Sequence, residues 1–141
     1  MLRNLNTDRY TLLYAHYDEE TGVSKVRIQT PYGVFKGKAK LHPDDINYDS
    51  RYAGCELAEL RAVIKAYKFK KKIYTAVYDE LCKLGNCKKV AKEKEQITQI
   101  IDNLTIDINE LTSDIEGKIK ARNHIIERIK KGGIGQNTEN N

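Results

Sequence analysis

The residues best suited to chemistry in this chain are basic and aromatic side chains set two apart. Tyr14 and His16, Lys25 and Arg27, and Lys36, Lys38 and Lys40 alternate with small or apolar neighbours. Alternation at period two gathers such residues on one face of a β-strand. With a four-residue loop over Glu19 to Gly22 and a two-residue loop at Tyr32-Gly33, His16 opposes Lys25 and Tyr14 opposes Arg27, while Arg27 opposes Lys38 and Gln29 opposes Lys36. All of these fall on one face. Leu13, Ala15, Val26, Ile28, Phe35, Ala39 and Leu41 fall on the other, which reads as the core surface. Like charges opposed across a sheet cost stability, so their concentration calls for a reason. Binding an anion is such a reason: Arg and Lys give a phosphate charge-assisted hydrogen bonds, and a tyrosine or histidine ring lets a base stack. The competing expectation is a solvated lysine face, or one covered by acids of the same chain such as Asp102, Asp107, Glu110, Asp114 and Glu116.

Arg61, close to the junction of the strands with the first helix, is the helical residue best placed to point back at this face. A second basic cluster, Lys68 to Lys72 (KFKKK), reads as a solvated helix face with Tyr67 and Phe69 as packing residues. Catalytic patterns are missing from the sequence: it contains no GxSxG, P-loop or HExxH, and His16, His42 and His124 stand at no informative spacing from a nucleophile. Binding without turnover and without a cofactor is expected, so the chain is read as a non-enzyme. Cys55, Cys82 and Cys87 are an odd count with no CxxC, too few with the distant histidines for a metal site. Asp44-Asp45 reads as a turn and helix entry rather than a metal ligand pair.

The elements that position these residues follow from a change of period. Residues 9–41 read as three strands in an antiparallel meander, RYTLLYAHYD, VSKVRIQT and VFKGKAKL, with a loop over 42–49. From 50 to 84 Leu57, Leu60, Ile64, Tyr67, Tyr74, Tyr78 and Leu81 mark one face of a helix, which Gly85-Asn86 breaks. From 88 to 131 Ile97, Ile101, Leu104, Ile108, Leu111 and Ile115 form a heptad seam, continued with a stutter by Ile119, Ile126 and Ile129. The fold class is therefore α+β, a small antiparallel meander followed by two long antiparallel C-terminal helices in a coiled-coil-like hairpin. Residues 1–131 make a single domain, and 132–141 (GGIGQNTENN) a disordered tail.

A helix of the second one's length spans roughly 65 Å, more than a three-stranded sheet covers. Ile100, Ile106 and Ile125 widen its apolar face beyond a two-helix seam. Ile97, Ile100, Ile101, Leu104, Ile108, Leu111 and Ile115 are thus expected to form an oligomer interface, in a homo-oligomer that is a dimer or a trimer of dimers. The chain has 25 Lys and Arg against 20 Asp and Glu, a net charge of +5 that biases partners toward nucleotides, nucleic acid or acidic surfaces; nucleic acid ranks behind a small nucleotide, and the other alternative is a protein-interaction inhibitor acting through the helices. No apolar stretch approaches the ~20 residues a membrane span needs. The opening MLRNLNTDRY lacks the apolar run of a signal peptide, so a reducing, cytoplasmic setting is expected.

The segments GVFKGKAKLHP (33–43) and YAGCELAELRA (52–62) look like a pattern met in small proteins of phages infecting Gram-positive bacteria. In layout, a short sheet followed by long helices over roughly residues 10 to 130, the chain is similar to the first class of phage Thoeris anti-defence proteins. That resemblance implies a multimeric sponge that sequesters cyclic ADP-ribose isomers made by TIR-domain defence proteins and, in some members, cyclic oligonucleotides, in the host cytoplasm. It also implies His16, Lys25 and Arg61 as nucleotide contacts. Together with the strand pattern, the expected nucleotide-binding set is Tyr14, His16, Lys25, Arg27, Lys36, Lys38 and Arg61.

Overall fold

The computed structural model describes residues 9–40, 51–85 and 87–132. Leu41, the loop at 42–49 with Asp44 and Asp45, and 133–141 of the expected tail lie outside the described residues. Three strands, β1 (Thr11–Asp18), β2 (Val23–Thr30) and β3 (Gly33–Lys40), form an antiparallel sheet in the order β1-β2-β3, followed by helices α1 (Arg51–Cys82) and α2 (Lys88–Gly132). The fold is α+β, as the change of period predicts. Gly132, expected in the tail, is the last residue of α2.

The β1–β2 turn is the four-residue loop expected. The backbone amides of Glu20 and Thr21 donate to the Asp18 carboxylate at 2.9 and 3.4 Å, Gly22 N–H donates to Asp18 C=O at 2.8 Å, and Gly22 closes the turn at φ 71°. The second turn differs from expectation. Thr30 pairs with Gly33, so the loop is Pro31-Tyr32 rather than Tyr32-Gly33. The Thr30 hydroxyl accepts from Tyr32 N–H at 3.1 Å and donates to Gly33 C=O at 2.9 Å, and Gly33 takes a φ of 125° that a side chain would resist. Consequently Arg27 opposes Lys36 and Lys25 opposes Lys38, each pair displaced by two residues from the expected register. A slip of two preserves side-chain parity, so the two faces keep their composition.

A slip of one does occur, in β1. Leu12 pairs with Ile28 and Tyr14 with Arg27, leaving Leu13 as a bulge. Leu13 is therefore 49% exposed instead of part of the core. Upstream of the bulge, the Tyr10 hydroxyl donates to the Glu59 carboxylate of α1 at 2.6 Å, a tie between the edge strand and the helix.

α1 covers the apolar face of the sheet and α2 packs on the far side of α1, so the order of layers is sheet, α1, α2. What lets α1 settle so closely is a stripe of small residues. Gly54, Ala58, Ala62 and Ala66 recur every fourth position and are all buried. Gly37 of β3 faces this stripe, where an added Cβ would collide with the carbonyl oxygen of Ala58 and come within 2.7 Å of the Ala62 nitrogen. Around that contact Val26, Ile28, Ala39, Leu57, Val63 and Tyr67 form the first part of the core.

The second part lies between the helices. Leu104, Ile108, Leu111 and Ile115 are buried against α1, with Leu111 1% exposed. These four are spent inside the chain, which corrects their assignment to an oligomer interface: α1 folds back on α2 and occupies the seam. Ile129, expected on the same stripe, is 48% exposed, because after the stutter the buried line runs through Ile119 and Ile126.

Candidate functional site

On the face of the sheet away from α1, the register lays out two rows across the strands: His16, Lys25 and Lys38 in one, Tyr14, Arg27 and Lys36 in the next. All six side chains are exposed. The sequence-derived face is thus assembled, with the neighbours within it changed by the two-residue shift. The Tyr14 and His16 rings are stacked, their centroids 6.1 Å apart and their planes 23° from parallel. Tyr14, Lys25, Arg27, Lys36 and Lys38 line a depression of about 370 Å³, which Lys65 of α1 also reaches. Lys65 is the helical cation at this site, one that the strand pattern does not point to.

Electrostatically the face is unbalanced. Among the described residues, no ion pair involves Lys25, Arg27, Lys36 or Lys38. The acids of α2 that could have covered them, Asp102, Asp107, Glu110, Asp114 and Glu116, belong to a helix on the opposite side of α1, and Asp107 is buried there. The nearest carboxylate on the face is Asp18 at its turn end. Its proton affinity is lowered, first by the amide of Glu20, then by Thr21 and by the neighbouring His16. It is committed to the turn rather than to the cations.

Arg61 is placed elsewhere. Its Nη1 donates to the carbonyl of Lys38 at 2.7 Å, on the outer edge of β3, and its side chain lines a separate cleft with Lys40. The expected union of Arg61 with Lys25 and Arg27 is therefore not what the fold makes; the edge carbonyl of β3 captures the guanidinium. The KFKKK cluster divides as well. Lys70 lies 5.8 Å over the Tyr32 ring, while Lys68, Lys71 and Lys72 line an open depression with Thr75 and Asp79. Phe69 packs on Phe35 and Tyr67 is buried, as packing residues should be.

The hairpin overhangs the sheet. An eight-residue strand covers about 27 Å, whereas the 32 residues of α1 run about 48 Å. Phe69, still partly exposed where it packs on Phe35, begins a line of every fourth residue that Ile73 and Val77, both exposed, continue along α1, and Ile97, Ile100 and Ile101 on α2 are half-buried. Of the expected interface residues, these last three alone retain surface.

Among the described residues no three of His, Cys, Asp and Glu gather as a metal site, and no helix is long and apolar enough to cross a membrane. Comparisons with protein-family models, curated proteins and solved structures find no match to this chain.

Proposed function

We propose that the protein captures a phosphate-bearing signalling nucleotide, a cyclic ADP-ribose isomer or a cyclic oligonucleotide, and holds it without turnover. The observation that carries this reading is the pairing of Lys25 with Lys38 and of Arg27 with Lys36 on an exposed face where, among the described residues, none of the four is in an ion pair. Opposed like charges raise the energy of the empty sheet, and a bound phosphate lowers it by neutralising both members of a pair. The stacked Tyr14 and His16 rings lie at the end of the same rows and offer a base a flat surface. The class of nucleotide, and a counter-defence role in a phage-infected cell, come from the resemblance of residues 33–43 and 52–62 to Thoeris anti-defence proteins.

The working form is a homo-oligomer that assembles through the overhang of the hairpin. Phe69, Ile73 and Val77 with Ile97, Ile100 and Ile101 leave both helices with apolar surface that their pairing does not bury in full. Native mass spectrometry reads stoichiometry and retained ligand together.

The deciding experiment incubates purified protein with a panel of cyclic ADP-ribose isomers and cyclic oligonucleotides, removes unbound material, heats the protein and identifies what is released. Intact nucleotide, recovered from the native protein and not from a Lys25→Glu/Lys36→Glu variant, is the expected result. Absence of capture at micromolar concentrations would sink the proposal. A second reading draws on the openness of the face, whose two cation rows suit a polyanionic backbone. It predicts a mobility shift of single-stranded nucleic acid that weakens steeply with salt.

A further inference from the structure

Downstream of the Leu13 bulge β1 runs in regular register, with Tyr14 opposite Arg27 and His16 opposite Lys25. Residues two apart on such a strand repeat every 6.4–6.8 Å, roughly, and stand on one face. The Tyr14 and His16 rings lie close to that interval, 6.1 Å between centroids with planes 23° from parallel. Both side chains are exposed, and Tyr14 borders the sheet-face depression. Carbon surfaces in contact sit about 3.5 Å apart, so a flat ring held between two others needs them about 7 Å apart. The pair is roughly 1 Å short of this, and the strand repeat supplies most of the difference once each ring stands over its own Cα. At 6.1 Å the rings meet toward the long end of the roughly 4.5–7 Å range for aromatic pairs, so little mutual contact is given up when they part.

Beside each ring runs a row of cations: Lys25 and Lys38 follow His16 across the sheet, and Arg27 and Lys36 follow Tyr14. Strands about 4.8 Å apart put the last cation of each row about 10 Å from the strand that carries the ring. A nucleotide has the same order over a comparable length: base, ribose, phosphate. We infer that Tyr14 and His16 form a clamp that takes a nucleobase between their rings, with the ribose over β2 and the phosphates among Lys25, Arg27, Lys36 and Lys38. This rests on the reading of the cationic face above and adds what that face selects, a phosphate ester bearing a flat base over a bare phosphate. Every base has a π-face, so the clamp discriminates for the presence of a base more than for its identity.

Calorimetric titration of the full chain at low salt with ADP and with inorganic pyrophosphate tests the clamp, because both probes carry a diphosphate and only ADP carries a base. The native chain should bind ADP about tenfold more tightly, within the range for a base stacking on aromatic side chains. In Tyr14→Leu/His16→Leu, which keeps apolar side chains without a flat ring, ADP should fall to within about twofold of pyrophosphate, and pyrophosphate should bind as it does to the native chain. Tyr14→Phe keeps the ring and should keep the preference. Both positions lie outside the core, and circular dichroism checks that the variants fold. Equal affinity of the native chain for the two probes would overturn the clamp. So would an ADP preference that survives the loss of both rings, or no heat of binding with either probe. The wider reading is judged apart from these outcomes: a double variant that captures as much cyclic nucleotide as the native chain removes the clamp and leaves capture by the cations standing.

Discussion

On one face of the sheet Val26, Ile28, Gly37 and Ala39 lie so close to α1 that one added carbon at Gly37 would meet helix backbone. On the other, Lys25, Arg27, Lys36 and Lys38 stand exposed in opposed pairs. The same eight-residue strands build both. The first face is optimised for contact and the second gives up stability, which teaches that the second was not shaped by folding alone. Three substitutions probe that contrast.

Gly37→Ala should be the most damaging, because the helix backbone opposite cannot rotate away as a side chain would. We expect a loss of about 3 kcal/mol, the upper range for overpacking a well-filled core, read as a lowered urea midpoint. Unchanged stability would mean that α1 is not seated on β3 as described.

Next in size is the tie from the edge strand. Burial first, then the hydrogen bond donated to Glu59 and the charge of that carboxylate, push the Tyr10 hydroxyl above the ordinary tyrosine value of 10.0. The folded chain thus keeps this proton to higher pH than the unfolded one. Its contribution is complete below about pH 10 and is lost as pH rises toward the folded value. Tyr10→Phe should cost about 1 kcal/mol at neutral pH and lose less than the native protein between pH 9 and about 11.5, measured by urea unfolding across that range.

The smallest effect should have the opposite sign. Lys25→Glu replaces a repulsive pair with Lys38 by an attractive one and should stabilise the sheet by about 0.5 kcal/mol. The same change should reduce nucleotide capture. Stabilisation without loss of capture would leave the lysines as a solvated face and remove the functional half of the contrast.

Much of this contrast is legible in the strands themselves. Parity depends only on whether a turn is even or odd in length, so moving the second loop from Tyr32-Gly33 to Pro31-Tyr32 changed every partner and no face. The bulge at Leu13 carries no such protection, and nothing in RYTLLYAHYD marks which of two adjacent leucines steps out of register. In α1, attention to large apolar residues finds Leu57, Ile64 and Tyr67 but passes over Gly54, Ala58, Ala62 and Ala66, the stripe that sets the closeness of helix and sheet. Small residues at a spacing of four were the available signal. The place of Arg61 could not be read locally at all: its capture by a β3 edge carbonyl depends on how α1 docks on the sheet.

The layer order also bears on how the chain reaches this structure. The meander pairs strands adjacent in sequence, the hairpin pairs helices adjacent in sequence, and α2 approaches β3 chiefly around the cleft that Arg61 lines, so α1 is the joint between two modules of local connectivity. Pairing of elements adjacent in sequence favours formation of each module first, and docking of the Gly54–Ala66 stripe onto Gly37 becomes the step that unites them. On this route the sheet presents both of its faces before α1 arrives, and only afterwards does the cationic one become the sole face left for a ligand.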